Sequence, residues 1–225
     1  MALFKAKARQ TSGVSRVAEG ADSYVRALRD GSLSTAGFIQ AMCMEGRMFA
    51  VNAGTASSPI TCGAGGIDTT EPDLIVLAPA GTTIIPIEVC IQIEAYGSTA
   101  IFEALVSCGS GGVDGTTTAV TPVCLNTHLG YTSQCSAGNA SAADSTYFTS
   151  NLIELERWGA AKSVTVGTAD DDSAWAPPNY AWRALAGGYL PIIKGIGGIC
   201  VFASAQASTG FISAKWIEVP DSYFS

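Results

Sequence analysis

The sequence predicts an all-β protein, an antiparallel β-sandwich of the jelly-roll type. A strict period-two pattern of aliphatic residues runs through residues 85–95, and about nine or ten strand-like segments are separated by turn-rich loops. No stretch has the periodicity of a helix longer than about three turns. Since one sandwich often takes roughly 200 to 250 residues, we expect a single domain, 21–225, after an extended N-terminal arm, 1–20.

The central strand signal lies between residues 85 and 95. Successive side chains of a strand point to opposite faces, so the alternation predicts one aliphatic and one polar face. The predicted aliphatic face consists of Ile85, Ile87, Val89, Ile91, Ile93 and Ala95. After a turn at 96–99, residues 101–108 are predicted to form the antiparallel partner of this strand. One face of that partner is predicted to hold Phe102, Ala104, Val106 and Cys108.

The first part of the chain predicts one short helix and one hairpin. Asp22 or Ser23 is a suitable N-cap for a helix that ends at Arg29. Residues 37–55 predict a strand, a reversal at Glu45 and Gly46, and a second strand over 47–53. Residues 54–73 are rich in Thr, Ser, Gly and Pro, which favours a long surface connection.

The second part of the chain predicts further strands and a closing hairpin. The predicted strands cover residues 119–125, 131–135, 147–157 and 162–167, with a break at Gly159, and a polar loop covers 170–178. Residues 199–205 and 211–219 predict a last hairpin. In it, Ile212, Ala214 and Trp216 face one side of the sheet, while Phe211, Ser213, Lys215, Ile217 and Val219 face the other.

The composition predicts a protein that associates with itself. Charged residues make up 14% of the chain and hydrophobic residues 48%, against roughly 25% charged residues in ordinary soluble domains. Much of the surface must therefore be small and uncharged, or else be covered by another copy. The sequence has no apolar run of about 20 residues and no signal-peptide pattern, so we expect a soluble protein that is not secreted and has no membrane contact.

The positive charge is concentrated at the start of the chain. The net charge is −7, yet the first sixteen residues contain Lys5, Lys7, Arg9 and Arg16 and no acidic residue. A basic arm of this kind is suited to weak contact with nucleic acid or with an acidic neighbouring subunit. A solvated terminus is the simpler alternative.

Cysteine and tryptophan residues predict core and interface positions. The seven cysteines are odd in number and contain no C-x-x-C pair, which favours small core residues in a reducing cytoplasm over a disulfide framework or a zinc site. Trp158, Trp175 and Trp182, together with Trp216, are of the type that lines sugar platforms. In a chain with so few charges we expect them in the core or at subunit interfaces.

The sequence predicts no catalytic residue, metal site or cofactor site. His128 is the single histidine, and the chain has no G-x-S-x-G motif, which disfavours a Ser-His-Asp hydrolase and histidine-based metal sites. Asp170–Asp172 lacks the spacing of a calcium loop. Glu88 and Glu94 share one side of the central strand, too far apart for a glycosidase pair, and are expected on an exposed or subunit-facing surface.

Three segments resemble virion structural proteins of tailed phages. Residues 38–41 with 46–51 and 54–55 are similar to a first hairpin of that group. Residues 78–86 resemble its Pro-x-Gly-Thr turn followed by an aliphatic strand. Residues 209–218 resemble the closing strand of jelly-roll or TNF-like capsid, decoration and fibre-head modules.

This resemblance implies a virion protein that works by assembly. The expected role is that of a capsid-surface subunit, either major capsid or decoration protein, that forms trimers or pentamers and contacts other virion proteins without catalysis or a cofactor. Its location would be the virion, assembled in the host cytoplasm. The alternative is a receptor- or glycan-binding head of a tail fibre or spike, in which aromatic residues and loops at one end form the site.

Overall fold

The structure is a computed structural model and describes residues 37–62, 66–95, 101–111, 117–140, 148, 150–161, 179–204 and 208–224. This part contains one α-helix, α1 (Phe38–Met44), and two 3-10 turns, Ala184–Gly187 and Asp221–Tyr223. The strands are β1 (Met48–Ala53), β2 (Ile60–Cys62), β3 (Leu74–Ala78), β4 (Thr82–Ala95), β5 (Ile101–Ser110), β6 (Thr117–Ala119), β7 (Val123–Cys124), β8 (Ser136–Ala140), β9 (Ser150–Ala161), β10 (Asn179–Arg183), β11 (Ile193–Lys194), β12 (Gly197–Ser204) and β13 (Ser208–Pro220). No helix within these ranges is long and apolar enough to cross a membrane.

The strands form two antiparallel sheets, which confirms the predicted all-β sandwich. Sheet I has the order β10-β4-β13-β1-β7, with β11 also paired to β4 and β2 also paired to β13. Sheet II has the order β6-β8-β3-β12-β5-β9. The last strand, β13, therefore lies in the middle of sheet I, between the first strand and the fourth.

The main core lies between the two sheets. Sheet I contributes Phe49, Val51, Val89, Ile91, Ile93, Ile212, Ala214 and Trp216, and sheet II contributes Leu74, Val76, Phe102, Ala104, Val106, Cys108, Ile199 and Val201. The predicted division of residues 101–108 and 211–219 between two faces is thus confirmed, and the core shows which face is buried. Burial of apolar area at roughly 25 cal/mol per Å² is the main favourable contribution to folding here.

The central strand does not keep one aliphatic face, contrary to the prediction. Val89, Ile91 and Ile93 lie in the main core, whereas Ile85 and Ile87 point to the opposite side of sheet I. The register passes from Lys215↔Glu88 to Trp216↔Pro86, which leaves Ile87 without a partner in a β-bulge. A bulge adds one residue to the strand and so reverses which side chains face the core.

The helix α1 replaces the first strand of the predicted hairpin at 37–55, while β1 confirms the second strand. Apolar residues at Ile39, Met42 and Cys43 have the spacing of one helix face. This face packs on the outer side of sheet I, against Ile85 and Ile217 among others. The bulge and the helix belong together, because the bulge turns aliphatic side chains outward and the helix covers them.

Two further predicted hairpins are wrong in their pairing. The segments 85–95 and 101–108 form β4 and β5, which lie in different sheets, and so do β12 and β13. β5 pairs with β12 and β9, and β13 pairs with β4 and β1. In each case the chain crosses from one sheet to the other instead of folding back on itself.

Other predicted elements differ in their limits. The region 54–73 contains the short strand β2, residues 131–135 precede β8 without being a strand, and β9 continues through Gly159. The stretch 119–125 divides into β6 and β7, which belong to different sheets. The predicted arm, the helix at 22–29, the turn at 96–99 and the segments 162–167 and 170–178 lie outside the described residues.

The cysteines are free thiols, and five of the seven are buried, as predicted for small core residues. Burial raises the pKa of Cys108 to about 11. Burial and the nearby carboxylate of Asp73 raise the pKa of Cys62 to about 12. Thiols of this kind stay protonated near neutral pH and pack like small apolar side chains.

Glu88 ties three strands of sheet I together on the outer face. Its carboxylate lies 2.5 Å from Nζ of Lys215 in β13 and 2.6 Å from Nε of Arg183 in β10. The side chain of Glu88 is 16% exposed. Hydrogen bonds from Lys215, and then from Arg183, lower the pKa of this carboxyl below its ordinary value of 4.5.

We expect Glu88→Gln to lower the free energy of unfolding by about 1 kcal/mol at pH 7, a modest value because both cations are partly exposed. A lowered carboxyl pKa stabilises the fold above the ordinary pKa, and this contribution is lost as the pH falls through the folded-state pKa. Urea unfolding of the two proteins should therefore converge below about pH 4.5. The matched control, Glu94→Gln, changes an exposed residue of the same strand and should unfold like the wild type; a constant difference at all pH values would contradict the ion-pair account.

We expect Gly198→Ala to destabilise the protein by about 2 to 3 kcal/mol, because close packing leaves no room for a methyl group. A Cβ at Gly198 would lie 1.9 Å from the carbonyl oxygen of Val76 in the neighbouring strand. At Gly159, in an edge strand of the same sheet, the nearest atom would be 4.0 Å away, so Gly159→Ala is the matched control and should be within about 0.5 kcal/mol of the wild type. Equal urea midpoints for the two variants would contradict this packing.

Candidate functional site

Several loops meet at one end of the sandwich. The register places Met48, at the start of β1, opposite Ile217 near the end of β13. It also places Thr82, at the start of β4, opposite Pro220. Antiparallel pairing therefore gathers the segments before β1, between β3 and β4, before β8, before β12 and after β13 at the same end.

A cavity of about 950 Å³ opens between these loops on the β1 side. Its lining residues are Met44, Glu45, Gly46, Arg47, Phe49, Gly81, Thr82, Asn126, His128, Leu129, Tyr131, Thr132, Gln134, Glu218, Val219 and Pro220. This size lies within the range of about 300 to 1,000 Å³ typical of small-molecule sites. The lining mixes apolar, aromatic and polar side chains, as ligand sites do.

Residues 125–135, here called the cavity loop, are held at both ends by hydrogen bonds. At its start, the backbone N–H of Leu125 donates to the Met48 oxygen at 2.9 Å, and Nδ2 of Asn126 donates to the Met44 oxygen at 2.9 Å. At its end, the backbone N–H of Gln134 donates to Glu218 at 2.9 Å. The loop is therefore fixed against both β1 and β13 without regular secondary structure.

Glu218 is the buried polar centre of the cavity wall. Its carboxylate accepts hydrogen bonds from Nε1 of Trp216 at 2.8 Å, from the hydroxyl of Ser133 and from the backbone of Gln134. Burial, followed by the negative charge of this carboxylate, raises the pKa of the neighbouring Cys135 thiol. Three donors satisfy Glu218, so its role is to join β13 to the cavity loop, and it is not free to act as an acid or base.

Tyr131 forms an oriented aromatic surface in the cavity. Its Cδ2 lies 2.6 Å from the position that a Cβ at Gly46 would take, so the ring packs directly on the Gly46 backbone. Gly46 has a φ of 72°, a left-handed conformation that favours glycine. The ring is 56% exposed, and it therefore presents its remaining surface to the cavity.

The charged groups that line the cavity all have partners within the protein. Nε of Arg47 lies 3.0 Å from the carboxylate of Glu45, and Glu218 is satisfied as described. His128, Thr132 and Gln134 are exposed polar side chains of the cavity loop. The site thus offers neutral hydrogen-bonding groups and one aromatic ring, and no three His, Cys, Asp or Glu side chains of the described residues are grouped to hold a metal ion.

A second feature of this end, on the β9 and β10 side, is a group of six exposed apolar side chains, here called the apolar rim. They are between 55% and 63% exposed. The rim consists of Leu152, Ile153, Leu185, Tyr189, Ile192 and Ile196. The backbone near its two segments is linked through the end of β5, since the N–H of Gly111 donates to the Ile196 oxygen at 2.8 Å and the preceding Ser110 pairs with Ser150, two residues before Leu152.

Of the predicted site residues, the described part of the chain contains Trp158 and Trp182. Trp182 is buried in the core between the two sheets, one of the two positions that the sequence predicts for it. Trp158 is half-buried and stacks on Tyr180 with ring centroids 5.5 Å apart. The arm residues Lys5, Lys7, Arg9 and Arg16, together with Trp175, lie outside the described residues.

Sequence reasoning missed most of the cavity. His128 was considered only as a catalytic or metal-binding residue, and it lies at the cavity as one exposed polar group among several. Tyr131 and Gln134 lie in the predicted strand 131–135 and Glu218 in the predicted strand 211–219, and the sequence predicts no functional role for them. The available signal was the density of aromatic and planar polar residues within the turn-rich stretch 126–134.

Comparison of the chain with protein families, with curated proteins and with solved structures finds no match. The resemblance of three segments to phage virion proteins remains a prediction from the sequence. In the structure these segments form α1 with β1, the turn between β3 and β4 with the start of β4, and most of β13.

We expect Glu218→Ala to lower the free energy of unfolding by about 3 kcal/mol or more, because it leaves several buried donors without an acceptor. Urea unfolding followed by tryptophan fluorescence measures this loss. Glu156→Ala is the matched control, since Glu156 is exposed on β9, and its effect should be within about 0.5 kcal/mol. A loss below about 1 kcal/mol for Glu218→Ala would show that the hydrogen bonds do not hold the cavity wall.

Proposed function

We propose that the sandwich is a jelly roll, which the nested pairing of its strands supports. β1 pairs with β13, β3 with β12, β4 with β10 and β5 with β9. Among the eight strands of these pairs, the first therefore pairs with the last, the second with the second to last, and so on inward. This is the order expected when one long antiparallel ribbon is rolled into two sheets, and the β4–β13 and β5–β12 ladders join its turns.

The protein acts in this proposal as a phage virion structural protein, a capsid-surface subunit of the major capsid or decoration type. It works by assembling into trimers or pentamers and by contacting other virion proteins. The low charge of the chain and the three segments that resemble phage proteins support this role. Closed symmetry would bury the uncharged surface of each copy.

The apolar rim is the observation that carries the proposal. Single exposed hydrophobic residues are normal, but neighbouring ones at one end of a domain favour an interaction surface. β9 is also the last strand of sheet II in the described part, so one side of its ladder has no partner strand there. A neighbouring copy that packs on the rim would cover both the apolar side chains and this strand edge.

The charges of the described part favour protein over nucleic acid as its partner. All five Lys and Arg residues of this part are within 4.0 Å of a carboxylate. The same part contains eleven Asp and Glu residues, so its acidic residues outnumber its basic ones. Phosphate groups need free cations, and contact with the genome is therefore assigned to the arm, through Lys5, Lys7, Arg9 and Arg16. The same arm is suited to the acidic body of a neighbouring copy.

We expect the purified protein to form a defined oligomer in multi-angle light scattering and closed particles or rings in negative-stain images. Leu152→Asp combined with Ile192→Asp should shift it to the monomer, because burial of two carboxylates in an apolar contact is costly. Val123→Asp is the matched control, since Val123 is 58% exposed outside the rim, and it should leave the oligomer intact. A strictly monomeric wild type at high concentration would overturn the proposal.

A further inference from the structure

The electrostatics of the cavity select an uncharged ligand. Arg47 is paired with Glu45, and Glu218 is satisfied by three donors within the protein. A phosphate or sulfate group would need an unpaired cation, and a metal cation would need unpaired carboxylates. The lining residues offer neither of these.

The aromatic ring of Tyr131 selects a ligand with a flat apolar face. One side of the ring is held on the Gly46 backbone, and the ring is largely exposed where it lines the cavity. An aromatic ring in a fixed orientation binds an apolar face with little loss of side-chain entropy. The cavity loop that carries it is fixed at both ends, so the surface exists before a ligand arrives.

The remaining polar side chains select a ligand rich in hydroxyl groups. His128, Thr132 and Gln134 are exposed residues of the cavity loop, and no side chain of the described part holds them in a hydrogen bond. An amide, a hydroxyl and an imidazole each offer donors and acceptors, which hydroxyl groups can satisfy in both senses. A few such groups around an apolar surface are what fixes a small ligand in one orientation.

We infer that this cavity is a binding site for a neutral saccharide. A sugar ring combines an apolar face of C–H groups, suited to Tyr131, with a periphery of hydroxyl groups, suited to the cavity loop. The cavity and the apolar rim have no residue in common, and they approach each other where the N–H of Gly195, next to Ile196 of the rim, donates to the oxygen of Thr82 in the cavity wall at 2.9 Å. The inference goes beyond the assembly role and holds whether or not that role is correct.

The test uses the full-length protein and an array of neutral hexose and N-acetylhexosamine oligosaccharides, with sialylated and sulfated glycans and inorganic phosphate as charged probes. We expect neutral glycans to bind. We expect no charged probe to bind more strongly than they do. Titration with the best neutral glycan should show about a tenfold weaker affinity for Tyr131→Ala and an affinity within about threefold of the wild type for Tyr131→Phe, which keeps the ring. Gln134→Ala keeps the backbone bond to Glu218 and should also weaken binding.

Tyr189→Ala is the matched control, because Tyr189 is 59% exposed but lies in the apolar rim. It should leave glycan affinity unchanged, and thermal melts should show each variant folded. Absence of binding to every neutral glycan at about 10 mM would overturn the inference, since that limit excludes even weak sites. So would equal affinity of the wild type and Tyr131→Ala, or preferred binding of a charged probe. A monomeric protein that still binds glycan would overturn the assembly role alone.

Discussion

The ladder between β4 and β13 is the contact on which the rest of the molecule depends. It joins Thr82–Ala95 to Ser208–Pro220 along nearly their whole length and places the last strand in the middle of sheet I. β1 and β2 pair with the other edge of β13, so the two halves of the sheet meet only through this strand. Trp216, fully buried near the middle of the ladder, fills the core between the sheets.

The same ladder determines where interaction surfaces arise. Its bulge at Ile87 turns aliphatic side chains outward, and α1 packs on them. The residues at the end of α1 and directly after it line the cavity. Its far end carries Glu218, which binds the cavity loop. In a domain of this kind the paired strands form the core, and the loops lie at the ends of the sheets. Binding residues commonly lie in such loops. The cavity and the apolar rim both lie at one such end.

The prediction of strands succeeded where a buried face left a period of two. The core positions of β5 and β13 were correct because a strand that covers a core repeats every second residue. The predicted pairing within the hairpins was wrong, because the alternation of apolar residues does not distinguish two cases. A strand that crosses to the facing sheet buries the same side chains as a strand that pairs with its predecessor. The alternation at 85–95 does not reveal the bulge beside Pro86, although proline within a strand often marks one. The helix α1 was missed because seven residues carry too few turns for a clear period.

The sequence by itself determined the all-β class, most strand positions, the burial of most cysteines and the weakly charged surface, because these depend on local composition and alternation. Only the tertiary structure decided which strands pair, since hydrogen bonds of a ladder join residues far apart and leave no local pattern. It also decided the cavity, whose walls come from three distant stretches, around Gly46, Tyr131 and Glu218. Sites assembled from distant loops have no fixed spacing in the sequence, and so the chemistry of this end became visible only when the β4–β13 ladder brought its parts together.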